Sequence, residues 1–229
     1  MLTWVMKKKS NGTFQERVNA RGYEQIEGIH YDADTTAAPV VNEMTICIVF
    51  TLMVMADWYV EVVKVRGAFL HGEFKEGTKL YMEVPEGFEK FYPIGCLLLL
   101  LQTIYGLKQV AFAFWVQLLK ALCDTEFDHS KADPCLYFRW TEQGLTLWIS
   151  WVDDCMSVGK RELVLDVKKG MMDRFNCDKV RELTEFVGCK LERDAKQLKI
   201  MQLVLMQSFA DKFYLPEGWA PTTPAEGQR

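Results

Sequence analysis

The sequence predicts an α+β fold. Strand-like and helix-like runs follow one another without the strict alternation of a parallel βαβ chain. Of the 229 residues, 49% are hydrophobic, 25% charged and 13% aromatic, a globular composition with ample material for a core. That composition excludes disordered, collagenous and coiled-coil classes. The length suits one large domain or two small ones packed together, and no internal repeat divides it.

Residues 3–9 form an apolar-edged run that meets Asn11-Gly12, a dipeptide suited to a tight turn with positive φ, and the chain resumes at Thr13-Phe14. This reads as a β-hairpin. Residues 26–41 hold Gly28, several aspartates and threonines, and Pro39, and read as an extended loop. Asn42 suits the N-cap of a helix over the apolar run 44–56. That run has 13 residues. A bilayer span needs about 20, so a buried helix is expected and no membrane partner. Residues 59–65, rich in β-branched side chains, predict a buried strand. A link with His71 and Gly72 precedes a strand at 79–83 and a loop at Pro85-Glu86-Gly87. The wholly apolar 96–101 reads as a core strand.

Over 109–124, Phe112, Trp115, Leu118, Leu119 and Leu122 recur at spacings that describe an amphipathic helix. Strands are expected at 135–140 and 145–152, joined through Thr141-Glu142-Gln143-Gly144. Residues 161–175 predict a helix, 184–192 and 198–203 short strands, and 205–214 a last helix ended by Pro216. The tail from Pro216 onward holds three of the seven prolines and is expected to fray.

The 27 Lys and Arg against 31 Asp and Glu give a net charge of −4, so bulk charge does not mark a nucleic-acid binder. Residues 1–25 are nonetheless net positive, through Lys7, Lys8, Lys9, Arg17 and Arg21. The seven cysteines stand 12 or more residues apart. No pair suggests zinc, and the odd count argues against a disulfide framework or a disulfide-linked partner; reduced, mostly buried thiols are expected. With no apolar leader or basic address, an intracellular chain, cytoplasmic or nuclear, is the expectation. His30, His71 and His129 show no catalytic or metal spacing. Tryptophans and methionines are expected mostly in the core.

The chemistry concentrates in Ser150-Trp151-Val152-Asp153-Asp154-Cys155. An apolar strand runs into two adjacent carboxylates and leaves through Met156-Ser157-Val158, a second strand. Two acids at a hairpin tip repel each other unless a cation or solvent compensates. Hard oxygen ligands suit Mg²⁺, which joins carboxylates to substrate phosphates.

Around this turn stand GAFLHGEF (67–74), LYMEVPEGFE (80–89), YGLKQ (105–109), SKADPCLYF (130–138) and WVDD (151–154). NARGYEQ (19–25), APV (38–40) and EFVGCKLERD (185–194) flank them. In this order the motifs resemble the reverse transcriptase (RNA-directed DNA polymerase) of copia-type retrotransposons, over about residues 4 to 224. The resemblance implies a right-hand polymerase with an antiparallel palm sheet packed on helices. Fingers would occupy 1–58 and 79–108, the palm 59–78 and 109–200, and a thumb start with its tail 201–229. The implied reaction is template-directed nucleotidyl transfer by two Mg²⁺ ions, using an RNA or DNA template with primer and a dNTP.

Carried onto this sequence, Asp153 would be the hairpin's metal ligand and Asp154 its less directly liganding catalytic neighbour. Phe69 would be the gate against a ribose 2′-hydroxyl. Arg17, Arg21 and Lys9, with Lys7 and Lys8, would meet the triphosphate and template, and Gln109 and Lys108 the nascent base pair. The chain would be an isolated remnant, since the protease, integrase and ribonuclease H of such polyproteins are not among its motifs.

One departure outweighs the others. The family's first catalytic aspartate stands five residues before Phe69, where this chain has Lys64. Asp57 is too far away, and Glu61, an odd number of places off, would face the other side of the strand. Lys64 is therefore expected to pair with Asp153 and to disable the Mg²⁺ site. Val110-Ala111-Phe112 also follow YGLKQ where many relatives have Ala-Pro-Arg, and Trp151 stands for the family's hairpin tyrosine.

Overall fold

The apolar run through residues 145–150 forms the middle of a sheet because both of its faces are covered. In the computed structural model, which describes residues 2–8, 12–178, 183–194 and 197–214, the chain divides into two units, 1–182 and 183–229. In the first unit, β1 (Leu2–Lys8) and β2 (Phe14–Ala20) pair as an antiparallel hairpin, Leu2 opposite Ala20 and Lys8 opposite Phe14. Gly12 takes φ +82°, as the turn requires, while Lys9 and Asn11 lie outside the described residues.

Helix α1 (Glu43–Met55) begins where its cap predicts: Asn42 Oδ1 accepts from the Met44 N–H at 2.8 Å. Asp133, which precedes Pro134 and so suits the start of a turn, fastens that cap. Its Oδ2 accepts from the Asn42 N–H at 2.9 Å and its Oδ1 from the Cys135 N–H at 2.9 Å. The helix corrects one expectation. Val49, Phe50 and Met53 are buried, but Met44, Ile48, Leu52 and Met55 are exposed. An apolar run with no polar stripe has nothing to choose which face turns inward.

The main sheet is antiparallel throughout, in the order β3 (Tyr59–Lys64), β9 (Asp154–Gly159), β8 (Gly144–Trp151), β7 (Leu136–Thr141) and β6 (Asp128–His129). Helices α2 (Val110–Cys123) and α3 (Arg161–Arg174) supply most of the rest of the core. Phe114, Leu118, Leu122, Val167 and Met171 meet Val63, Tyr137, Trp148 and Cys155 of the sheet. The spacing in α2 located the helix and the burial of Leu118 and Leu122, but the buried face runs through Val110, Ala113, Phe114 and Ala121, leaving Phe112, Trp115 and Leu119 only half-buried at its margins. Trp140, at 71% exposure, departs from the core expectation for tryptophan, as do exposed Met6, Met44, Met55 and Met206. The cysteines are all free, but Cys47 and Cys123 are exposed rather than buried.

On the same side of the sheet, Glu61 is 5% exposed. Its Oε1 accepts a short hydrogen bond from the Tyr59 hydroxyl, which holds that phenol above its usual range. Lys168 Nζ lies 3.6 Å from Oε2, an oxygen with no hydrogen-bond partner. Lys168→Met leaves this buried carboxylate uncompensated and is expected to lower stability by about 2 kcal/mol in urea denaturation. An unchanged midpoint would show that the ion pair contributes nothing.

The run 96–101 is not a core strand. Only Leu97–Leu99 form a strand, β5, paired with β4 (Tyr81–Glu83) in a separate two-stranded sheet. Leu97 and Leu99 are exposed at 59% and 43%. Composition reads as burial only when other layers cover both faces, and among the described residues none covers the Leu97–Leu99 face.

The second unit is a meander of β10 (Glu185–Phe186), β11 (Cys189–Arg193) and β12 (Leu198–Met201), followed by α4 (Leu203–Lys212). The expected single strand over 184–192 is instead broken at Val187-Gly188, both at positive φ. Among its described residues, Leu183, Phe186 and Leu191 are buried. Pro216 and the tail lie outside the described residues.

Candidate functional site

Strands β8 and β9 are joined by a two-residue turn, Val152-Asp153, with Trp151 opposite Asp154. Val152 sits at φ +52°, a left-handed conformation that tight hairpin turns usually reserve for glycine. A β-branched residue there costs on the order of 1–3 kcal/mol, and such strain concentrates at functional turns. The sequence pattern gave no sign of it.

Strand β3 lies against the other edge of β9. The register sets Lys64 directly opposite Asp154, and the Val65 N–H donates to the Asp153 carbonyl at 2.8 Å. On the outer edge of β3, the Asp178 N–H donates to the Lys64 carbonyl at 2.8 Å, and the Arg66 N–H donates to the Asn176 carbonyl at 2.7 Å. Arg66 also pairs with the Asp178 carboxylate. Residue 64 is thus fixed from both sides by the backbone.

Its ammonium bridges both acids. Lys64 Nζ lies 2.9 Å from Asp153 Oδ2 and 2.8 Å from Asp154 Oδ1. Partial burial works against the charged ammonium. The hydrogen bonds to Asp154 and Asp153 outweigh it and hold Lys64 above the usual lysine range. The three side chains are 36–43% exposed, so water screens the cluster and its contribution to stability is small. Its consequence is local: the lone pairs that would face a cation are aimed at an ammonium. Glu61 lies on the opposite side of β3, as its odd spacing requires. Among the described residues, no group of three or more Asp, Glu, His or Cys side chains could hold a metal ion. The charged groups brought together at this turn are two carboxylates and one ammonium.

The other anticipated residues fall into two groups. Phe69 lies in the turn Ala68–Leu70, its ring edge-on to Tyr105 at 5.4 Å between centroids, and its carbonyl accepts from Thr103 Oγ1 at 2.7 Å. The Arg17 guanidinium stacks over the same Tyr105 ring at 4.4 Å. Arg17, Tyr105 and Phe69 therefore form one cluster, the guanidinium over the Tyr105 ring and Phe69 at an angle to it, and Tyr105 had no role assigned from the sequence. Arg21 is held differently, its Nε donating to Thr3 Oγ1 at 3.1 Å and its Nη1 3.4 Å from Glu24.

Gln109 is 8% exposed and its amide is engaged at both its oxygen and its nitrogen. Gln25 Nε2 donates to its Oε1 at 3.0 Å, and its own Nε2 donates to the His30 carbonyl at 3.1 Å. Lys108 Nζ donates to the Tyr31 hydroxyl at 2.9 Å and lies over that ring. Both side chains tie the loop after β2 to the start of α2. Lys7 and Lys8 are exposed on β1, and Lys9 lies outside the described residues. His71 Nε2 lies 3.2 Å from the Arg66 carbonyl, a loop contact.

The reverse transcriptase (RNA-dependent DNA polymerase) profile matches residues 1–227. The chain is 29% identical over 233 residues to the retrovirus-related Pol polyprotein of transposon TNT 1-94 from Nicotiana tabacum. That alignment covers 98% of this chain and 17% of the relative. The corresponding polyproteins of transposons RE2 and RE1 from Arabidopsis thaliana are 28% and 29% identical, over 87% of this chain and 14% of each relative. The chain therefore spans about a seventh to a sixth of the length of these relatives. No helix among the described residues is long and apolar enough to cross a membrane. Profile, relatives and motif order agree: this chain belongs to the reverse transcriptase family of copia-type retrotransposon Pol polyproteins.

Proposed function

We propose that this chain is a reverse transcriptase domain in which Lys64 has disabled nucleotidyl transfer, while the surface that holds primer and template persists. The main sheet would be the palm and the β1–β2 hairpin part of the fingers. Asp153 and Asp154 would be the remaining catalytic acids. The observation that carries the reading is the bridge from Lys64 to both carboxylates at 2.9 and 2.8 Å. A cation already satisfies the acids, and a divalent ion entering beside it meets repulsion where the family has a third carboxylate. No step through Mg²⁺ is assigned to the chain as it stands.

The exposed lysines of β1 and the stack of Arg17 on Tyr105 support retained affinity for an RNA–DNA hybrid within an intracellular setting. Phosphate neutralisation by such groups gives binding without sequence choice. Two measurements test the proposal. Calorimetric titration with Mg²⁺ is expected to show no saturable binding; sub-millimolar binding of two ions per chain would refute the disabled site. Binding to an RNA–DNA hybrid is expected to weaken steeply with added salt. No binding at low salt would reduce the chain to a decayed fragment with a surviving fold.

A further inference from the structure

The β4–β5 sheet has an open edge of an unusual kind. The Leu100 N–H donates to the Leu80 carbonyl at 2.9 Å, and Met82 stands opposite Leu98. Antiparallel pairing alternates, so Leu98 and Leu100 direct their backbone groups at β4 while Leu97 and Leu99 direct theirs away. Among the described residues no strand pairs with the outer edge of β5, which offers the N–H and C=O groups of Leu97 and Leu99, the Leu97 carbonyl also accepting from Cys96 Sγ at 3.7 Å. Devices that usually blunt such an edge, namely lysine, proline or a bulge, do not occur within residues 96–101. A two-stranded sheet is also marginal by itself.

The face above this edge is apolar except for Glu83, which stands opposite Leu97. Tyr81 opposite Leu99, with Leu97 and Leu101 along the strand, are 43–83% exposed, and Ile94 just before it is fully exposed. We infer that the β5 edge pairs antiparallel with β5 of a second copy of this chain, making a four-stranded sheet across a two-fold axis.

Three features favour a second copy over a foreign strand. An antiparallel edge is its own hydrogen-bond complement under a two-fold axis. No charged side chain stands between residues 94 and 101, so self-pairing brings no like charges together. The same axis sets the Lys79 end of one β4 on the side of the Glu83 end of the other, opposite in sign.

Sedimentation velocity of the full chain over a concentration series is expected to show a monomer–dimer equilibrium. Hydrogen exchange at the Leu97 and Leu99 amides is expected to slow as the dimer fills. Leu99→Pro deletes an outward N–H that β4 does not use, and should weaken the dimer at least about tenfold with an unchanged circular dichroism spectrum. Leu99→Lys should do the same by charge. A chain that stays monomeric throughout overturns the proposal, as does a dimer indifferent to both substitutions. A dimer abolished by Leu99→Lys but untouched by Leu99→Pro would show apolar contact without strand pairing, and also overturns it.

Discussion

Replacing Lys64 by aspartate is expected to raise Mg²⁺-dependent primer extension by at least about a thousandfold over the parent chain, which should show none above background. The magnitude follows from charge. A unit charge acts on another at 4 Å with about 4 kcal/mol at an effective dielectric of 20, and roughly twice that on a divalent ion. The substitution removes that repulsion and supplies an attraction in its place. Even ~5 kcal/mol of recovered transition-state stabilisation exceeds a thousandfold in rate.

The register makes the replacement geometrically fair. Residue 64 is held opposite Asp154 by the backbone ladder and not by its own side chain, so a shorter acid starts from the same Cα position. Three clustered carboxylates repel, so Lys64→Asp should melt earlier than the parent without Mg²⁺ and regain stability when the ion is added. Lys64→Ala separates the two effects, since it lifts the repulsion without adding a ligand and should bind Mg²⁺ weakly with little extension. An active parent would sink the proposed defect. A Lys64→Asp chain that binds Mg²⁺ yet never extends a primer would place a second defect elsewhere, the altered residues after YGLKQ being the first to examine.

The second large effect concerns the fold around the motif and not the acids. Gly106→Ala is expected to destabilise the chain by about 3 kcal/mol or more in denaturant unfolding. Gly106 sits at φ +89°, where an L side chain is strained, and an added Cβ would overlap the Ala20 carbonyl oxygen. The two backbones meet because the Ala20 N–H donates to the Tyr105 carbonyl at 2.7 Å. Gly22 meets the same segment from the other side, since a Cβ there would overlap the Gly106 carbonyl oxygen. The contact can relax only by moving backbone, which also displaces Tyr105 from between Arg17 and Phe69. Full stability in Gly106→Ala would show that the β2 end moves away at little cost.

Those two glycines show why the motifs could be read but not explained from sequence. NARGYEQ and YGLKQ lie more than eighty residues apart, yet each supplies the glycine that lets the other approach. Gln25 and Gln109, in the same two motifs, then join side chain to side chain at 3.0 Å. Asp133 is similar: its turn was legible locally, whereas its grip on the α1 cap across 91 positions was not.

Where periodicity and a covering layer coincide, as in α2, the helix and two of its buried residues, Leu118 and Leu122, were legible, while the rotation that puts Phe114 in the core was not. Where apolar runs carry no polar stripe, as in α1 and 96–101, the sequence held no information about which side would be covered. Burial is a property of neighbours, and a uniformly apolar segment does not name its own.

By itself the amino-acid sequence determined the family, the position of the paired acids on a hairpin, and the presence of a cation five residues before Phe69. Those depend on residue identity and short spacing, which the chain carries openly. Tertiary structure decided that Lys64 meets both carboxylates at once, that Val152 is strained beneath them, that Gln109 and Lys108 hold a loop, and that five consecutive leucines end at an open edge. Each of these depends on which distant backbone lies alongside, a relation fixed by strand register and packing and not written in any one segment.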